Sequence, residues 1–183
     1  MGKTLLIISG GIEAVAGIQC AKKMGLYVVV SDGSPNAPGL EYADDKIIVS
    51  TYDVDETVQK AKQYHETVRQ FDGVMCIASD VPLTVASVAN ELGLPGIPCA
   101  SAELAMDKIA MKIKFHKDGV SIPNFKQIHN REELGNIVKD WGFPVVIKPI
   151  DSRGARGVLR LSKEVDLDWA WAHSKENSPT GRV

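Results

Sequence analysis

Apolar and polar positions alternate in blocks over the first 100 residues, in a pattern typical of short strands separated by helices. Continuous apolar runs rich in β-branched residues predict four strands, at residues 4–8, 27–30, 46–49 and 73–77. The blocks between them have helical composition, at residues 13–24, 55–71 and 82–92. Because unbroken apolar runs are typical of strands buried on both faces, we predict an α/β fold. It would contain a doubly wound parallel sheet with the first strand at its centre.

The order of the elements changes near residue 101. From there the pattern predicts an α+β arrangement, with helices at residues 101–106, 107–118, 131–141 and 166–173 and strands at 143–148 and 158–161. Turn residues between these two strands predict a loop at residues 149–157. We therefore predict two domains, residues 1–100 and residues 101–183.

Composition narrows the class of protein. The chain has 183 residues, a formal net charge of −2 and 44% hydrophobic residues, as in ordinary globular proteins. The near-neutral charge disfavours nucleic acid and anionic membranes as partners, and the apolar runs are too short to span a bilayer. No signal-peptide pattern follows Met1, so we expect a cytoplasmic protein.

The three cysteines, Cys20, Cys76 and Cys99, are widely spaced and lie in apolar surroundings. Their odd number and spacing predict buried free thiols in a reducing compartment. A reactive or metal-binding cysteine is the alternative, but no histidine lies at ligand spacing from any of them.

The strongest chemical signal lies where a strand ending in Lys148 enters a loop rich in glycine, serine and arginine. The loop residues are Ser152, Arg153, Gly154, Ala155, Arg156 and Gly157. Glycines let backbone N–H groups approach an anion closely, and serine and arginine add charge-assisted donors. A glycine hairpin with solvated arginines explains the same residues, so spacing alone leaves both interpretations open. It is not a Walker loop, because no Gly-Lys-Ser or Gly-Lys-Thr follows it.

A second segment begins at Met106-Asp107-Lys108, continues through Lys112 as an amphipathic helix, and ends in Gly-Val-Ser-Ile-Pro at residues 119–123. By spacing alone the lysines of this helix are solvated.

Taken in this order, the two segments resemble the ATP-grasp superfamily. The resemblance is closest to the branch of biotin carboxylase, the carbamoyl-phosphate synthase large chain and phosphoribosylglycinamide synthetase. That branch has a Rossmann-like pre-ATP-grasp domain with counterparts of Ser31-Asp32, Pro35-Asn36-Ala37-Pro38, Ala43-Asp44 and Leu92-Gly93-Leu94-Pro95-Gly96. The resemblance therefore covers the whole chain. It implies a pre-ATP-grasp domain at residues 1–100 and the N-terminal portion of an ATP-grasp domain at residues 101–183.

The resemblance implies a role for each matching residue. Lys108 and Lys148 would bind ATP phosphates, and Lys148 would also meet the purine edge. Residues 152–157 would fold over the β- and γ-phosphates, and Val158 would pack on adenine. In the family, a hinge strand and the Mg²⁺ ligands follow later in the sequence, and this chain ends at Val183. We therefore expect no catalytic residue and no metal ligand within it.

Glycines and carboxylates also stand at the ends of the N-terminal strands. The resemblance implies that Gly10, Gly11, Asp32 and Asp80 help to bind the carboxylate or amine substrate. The alternative is a tight turn at Gly10 and Gly11 with the two aspartates as caps, which is slightly favoured for Asp80 because Pro82 follows it closely. The glycines at 10, 11 and 17 do not match Gly-x-Gly-x-x-Gly, which disfavours NAD.

The function that the resemblance implies is an ATP-dependent carboxylate–amine or carboxylate–thiol ligase that acts through an acyl-phosphate. Its partners would be ATP, Mg²⁺ and a small carboxylate, and a homo-oligomer is compatible with this. Two alternatives stay open: a Rossmann-type NAD(P)-dependent oxidoreductase, and a non-catalytic module that binds a nucleotide or another small molecule. The sequence defines neither the carboxylate nor the nucleophile, and we expect this chain alone to be inactive.

Overall fold

The chain folds into two compact units in the structure, a computed structural model that describes residues 2–183. The first unit extends to Glu103 and the second begins at Leu104. Each unit contains hydrophobic clusters made of its own residues. The assignment of residues 101–183 to an ATP-grasp domain stays a prediction.

A sheet of four parallel strands forms the centre of the first unit, in the order β3-β2-β1-β4. The strands are β1 (Thr4–Ile8), β2 (Tyr27–Asp32), β3 (Asp45–Ile48) and β4 (Gly73–Cys76). β1 pairs with β2 on one side and with β4 on the other. The prediction that the first strand lies inside a parallel sheet is therefore confirmed.

Helices cover both faces of this sheet, because successive side chains of a strand point to opposite faces. Ile7 of β1 packs in one cluster with Ile18, and Leu6 and Ile8 pack in another with Val88. The helices are α1 (Val15–Lys23), α2 (Val54–Thr67) and α3 (Pro82–Glu91), with 3₁₀ turns at Ile12–Ala14 and Pro38–Tyr42. This arrangement confirms the α/β fold class.

The second unit combines helices with one antiparallel strand pair. The pair is β5 (Val145–Ile147) and β6 (Leu159–Leu161), and the helices are α5 (Lys108–Lys117), α6 (Arg131–Trp141) and α7 (Leu167–Glu176), while α4 (Cys99–Met106) runs across the division. Side chains of Asp107, Asn130 and Asp166 cap the starts of α5, α6 and α7 by accepting backbone N–H bonds. Within residues 2–183, no helix is both long and apolar enough to cross a bilayer.

The cysteines are free thiols, but the prediction that all three are buried is wrong. Cys20 is exposed, because it lies on the outer face of α1 while Ile18 and Ala21 point into the core. Cys76 and Cys99 are half-buried. Burial raises the pKa of the Cys76 thiol, and its Sγ lies 3.4 Å from the Ser79 carbonyl oxygen.

The loop after β1 is held by a close approach of two glycines. The N–H of Gly39 donates to the carbonyl of Gly10 at 2.7 Å. A Cβ on Gly39 would lie 2.9 Å from that carbonyl oxygen and 2.6 Å from Cδ1 of Ile18. Since real Cβ contacts are longer than this, only glycine fits at position 39 without moving the backbone of Gly10.

We therefore expect Gly39→Ala to destabilise the first unit by about 1–3 kcal/mol, the usual cost of overpacking. Gly73→Ala is the matched control, since its added Cβ would meet only Cδ1 of Leu5 at an ordinary 3.6 Å. Urea unfolding of the wild type and both variants measures the difference. Equal stability of the two variants would show that Gly10 and Gly39 are not constrained by this contact.

Candidate functional site

The second unit contains a cleft of about 460 Å³. Its walls come from α5, from residues 123–128, from α6 and from β5 with the residues that follow it. Most of the lining is apolar, and the charged residues of the lining are Lys108, Lys112, Lys126 and Lys148. Among the described residues, no Asp or Glu side chain lines the cleft. Its volume is that of a typical small-molecule site, and its charge suits an anion.

The structure brings Lys108 and Lys148, two of the residues selected from the sequence, to this one cleft. Lys148 directly follows β5 and is half-buried. Lys108 is the first residue of α5, so the cap at Asp107 fixes where its side chain starts. Two cations from distant parts of the sequence therefore face the same space.

Lys108 is also bonded to the start of the glycine-rich loop. Its Nζ donates to the carbonyl of Ile150 at 3.1 Å and to the carbonyl of Ser152 at 2.5 Å. Its backbone N–H donates to the same Ile150 carbonyl at 3.2 Å. The ammonium group therefore connects the cleft with the loop.

The glycine-rich segment 152–157 itself lies outside the walls of the cleft. Ser152 and Gly157 are buried, whereas the residues between them are half-buried or exposed. Gly154, Ala155 and Gly157 have positive φ angles of 60°, 59° and 70°. The backbone N–H and the Nε of Arg156 both bond to the carbonyl of Arg153, at 3.3 Å and 3.0 Å, which closes a turn.

Val158 also lies outside the cleft and is 39% exposed. Its contact with adenine therefore stays a prediction, as does the contact of residues 152–157 with phosphate.

Lys112 corrects the interpretation made from spacing, which assigned it to solvent. It is half-buried, it lines the cleft, and its Nζ lies 5.4 Å from the ring centre of Phe125. An ammonium at this distance from an aromatic ring gains a cation–π attraction. The signal was present in the sequence, since Lys112 follows Lys108 by four residues and so shares its helix face.

Asp107 is a cap that is also an ion-pair partner. Its carboxylate accepts the N–H groups of Ile109 and Ala110, at 2.9 Å and 2.8 Å, and the Nη1 of Arg182 at 2.9 Å. Burial alone would raise the pKa of Asp107, but these hydrogen bonds and the Arg182 charge outweigh it, and the pKa is lowered.

Asp151 holds the other side of the loop. Its carboxylate accepts the hydroxyl of Ser178 at 2.6 Å, the N–H of Thr180 at 3.2 Å and the hydroxyl of Thr180. Burial would raise the pKa of this carboxyl, but the donors from Ser178 and Thr180 outweigh it and lower the pKa from its ordinary value of 3.8.

In the first unit, Gly10, Gly11 and Asp32 come together at the end of β1. The Asp32 carboxylate accepts the N–H of Gly10 and the N–H of Ser34, both at 2.8 Å. Gly11 directly precedes the first 3₁₀ turn, and its carbonyl accepts the N–H of Ala14 at 3.0 Å. One carboxylate oxygen of Asp32 thus holds the turn at Gly10, and the other holds the loop that follows β2.

Asp80 lies in the exposed loop between β4 and α3. Its loop and the loops of Gly10, Gly11 and Asp32 leave the carboxyl ends of neighbouring strands. The strand order reverses between β1 and β4, and in open α/β sheets such a switch point is the usual place for a ligand.

Residues 2–183 contain no group of three or more His, Cys, Asp or Glu side chains arranged to hold a metal ion.

A family model, the ATP-grasp N-terminal domain, matches residues 18–96. The match lies within the first unit, so residues 18–96 are similar to the N-terminal domain of ATP-grasp proteins. Together with the relatives described next, this match confirms the predicted resemblance to ATP-grasp enzymes.

Named ATP-grasp relatives match almost the whole chain. It is 26% identical over 180 residues to a formate-dependent phosphoribosylglycinamide formyltransferase of Prochlorococcus marinus (strain MIT 9515), covering 96% of this chain and 44% of that protein. The chain thus spans less than half the length of this relative.

Solved ATP-grasp structures share the fold. The N5-carboxyaminoimidazole ribonucleotide synthetase of Thermotoga maritima superimposes with a TM-score of 0.66 at 28% identity, over 91% of this chain and 42% of that one. The biotin carboxylase domain of the Hydrogenobacter thermophilus 2-oxoglutarate carboxylase superimposes with a TM-score of 0.68 at 20% identity. The superposition covers 100% of this chain and 43% of that one. That domain was solved with MgADP, ADP and bicarbonate.

The lowered pKa of Asp151 predicts how the stability of the chain depends on pH. A carboxyl whose folded pKa is depressed adds stability above its unfolded value of 3.8, and this is lost as the pH falls through the folded pKa. Asp151→Asn should therefore be less stable than the wild type at neutral pH, and the difference should shrink below pH 3.8.

Urea unfolding at neutral pH, at about pH 5 and below 3.8 checks this, with the exposed Asp140→Asn as control. A difference between wild type and Asp151→Asn that stays constant over the whole range would contradict it.

Proposed function

We propose that the protein containing this chain is an ATP-dependent ligase that joins a small carboxylate to an amine or a thiol. The observation that carries the proposal is a cleft, in an ATP-grasp chain, that places Lys108 and Lys148 together without an Asp or Glu side chain among the described lining residues. The names of the relatives support it, since one is formate-dependent and another was solved with MgADP and bicarbonate.

The cleft has the two kinds of surface that a nucleotide requires. Its apolar wall, which includes Ile109, Phe125 and Ile147, suits the face of a purine. Lys108 and Lys148 then bind the phosphates, and residues 152–157 close over the terminal ones. Fixed cations in a partly dry cleft stabilise charge that develops on a transferred phosphoryl group, because they need no reorganisation during the reaction.

Mg²⁺ does not fit the described residues, since they contain no suitable group of acidic side chains.

The reaction that we propose has two steps. In the first, a carboxylate oxygen of the substrate attacks the γ-phosphorus, the bond to the bridging oxygen breaks, and ADP leaves. In the second, the amine or thiol attacks the acyl carbon, loses its proton to solvent and expels inorganic phosphate. The lysines act in the first step, where the phosphoryl group passes between two anions.

We propose that the non-nucleotide substrate binds near the switch point of the first unit. Gly10, Gly11 and Asp32 shape the turn there, and Asp80 contributes an exposed carboxylate. A carboxylate suits an amine or a hydroxyl of the substrate rather than its reacting carboxyl group.

Two other functions are less well supported. An NAD(P)-dependent oxidoreductase would need glycines that admit a pyrophosphate, but the carbonyl of Gly10 is covered by Gly39 and the Asp32 carboxylate is engaged by backbone. A binding module without catalysis would bind ATP and never release ADP. A reducing cytoplasm agrees with the free thiols and belongs to the same proposal.

Lys148→Ala should reduce ATP turnover by the full-length protein on the order of 100-fold or more, the usual effect of removing one preorganised electrostatic contact. Lys117→Ala, on the exposed end of α5 and outside the cleft, is the matched control and should be silent. The assay is ADP release that depends on a small carboxylate, beginning with formate and bicarbonate. Equal loss in both variants would refute the role of Lys148, and ATP binding without ADP release would favour the binding module.

Lys112→Ala should weaken ATP binding by roughly fivefold, because the side chain lines the cleft and its charge is only partly screened. Lys112→Arg keeps the charge and the contact with the ring of Phe125, so it should restore most of the affinity. Calorimetric titration of ATP into the full-length protein measures both. An unchanged affinity in Lys112→Ala would contradict this role and support the interpretation that Lys112 is solvated.

A further inference from the structure

Both ends of the segment 152–157 are bonded to one stretch of chain, which consists of the end of α7 and the turn after it. At the C-terminal end, the hydroxyl of Ser174 donates to the carbonyl of Gly157 at 2.6 Å, and Ser174 is completely buried. At the N-terminal end, the Asp151 carboxylate accepts from Ser178 and Thr180.

Packing also holds the C-terminal end of the segment in place. Gly157 is buried and has a φ of 70°. A Cβ on this residue would lie 2.6 Å from Cβ of Asn177 and 2.8 Å from Cγ of Pro149. Gly157 is thus pressed between α7 and the residue after Lys148, so this end cannot shift alone.

The N-terminal end belongs to a closed ring of polar contacts. The Ser178 hydroxyl that donates to Asp151 also accepts the N–H of Arg182 at 2.9 Å. The guanidinium of Arg182 binds Asp107 at 2.9 Å, and Asp107 caps the helix that starts at Lys108. The Nζ of Lys108 returns to the carbonyl of Ser152 at 2.5 Å, one residue after Asp151. Members of such a network reinforce one another.

The middle of the segment contrasts with its ends. Gly154, Ala155 and Arg156 are exposed, and the turn there is closed by bonds between Arg156 and Arg153 within the segment itself. The segment is therefore a short arch with two fixed ends and an exposed centre.

We propose that Asp151 and Ser174 are positioning residues that hold this arch ready for the phosphates, an inference that rests on the proposed function. A loop with free ends loses conformational freedom when it closes on a ligand, and this loss weakens binding. Ends that are already held before the ligand binds reduce this loss of conformational freedom. The arch would meet only the phosphate end of a nucleotide. The contacts of Ser174 and Asp151 therefore affect the binding of the triphosphate and leave the binding of the nucleoside unchanged.

The test compares ATP with adenosine on the full-length protein. Ser174→Ala and Ser178→Ala should each weaken the binding of ATP by roughly fivefold, the effect of about one hydrogen bond. The affinity for adenosine should be unchanged. Thr84→Val is the matched control, since it also removes one buried hydroxyl that donates to a carbonyl, that of Thr51 at 2.8 Å, in the first unit. It should leave both affinities unchanged. Thermal unfolding of the three variants establishes that each is folded.

A second measurement tests the hydrogen bond between Ser174 and Gly157 without any nucleotide. Amide hydrogen exchange at residues 153–157 should be faster in Ser174→Ala than in the wild type and unaltered in Thr84→Val. The inference is overturned if amide exchange at residues 153–157 is unchanged in Ser174→Ala. It is also overturned if the variants lose affinity for ATP and for adenosine equally. If the wild type binds no ATP but exchange is still faster in Ser174→Ala, the proposed function is refuted. The structural role of Ser174 in holding the segment is then still supported.

Discussion

The first unit depends on one constraint, the burial of β1 on both of its faces. A strand without a polar face needs neighbours on both edges and a helix layer on each side, which β2, β4 and the three helices provide. Parallel pairing follows, and it sends the loops after β1 and β4 to the same edge of the sheet. The turn at Gly10, with Asp32 and Gly39 bonded to it, is built on that edge.

In the second unit, a polar network takes the place that the sheet has in the first. β5 and β6 pair over only three residues each, so the strands alone give little support to the loop between them. The loop is supported instead by Asp107, Asp151, Arg182 and Lys108, whose contacts close on one another. The depressed pKa values of Asp107 and Asp151 reflect the same contacts, which keep both carboxylates ionised.

Local patterns predicted most of the fold and only part of the site. The strands of the first unit follow from their apolar runs, and Lys148 from its place between a strand and a glycine loop. Lys112 was missed because solvation was the usual outcome for a lysine on such a helix, although its spacing from Lys108 pointed to a shared face. The contact of Asp151 with Ser178 spans 27 residues, and no local pattern encodes it. Cys20 was misjudged because apolar neighbours in sequence do not share its side of a helix.

In the function that we propose, charged and apolar residues of the cleft have different tasks. Lysine ammonium groups attract every polyanion of similar charge, so they discriminate poorly between one nucleotide and another. In the function that we propose, the shape of the apolar wall, formed by residues such as Phe125 and Ile147, distinguishes one base from another. In that function, the strength and the selectivity of nucleotide binding depend on separate positions. Evolution can therefore alter the preferred base without rebuilding the groups that attract the charge.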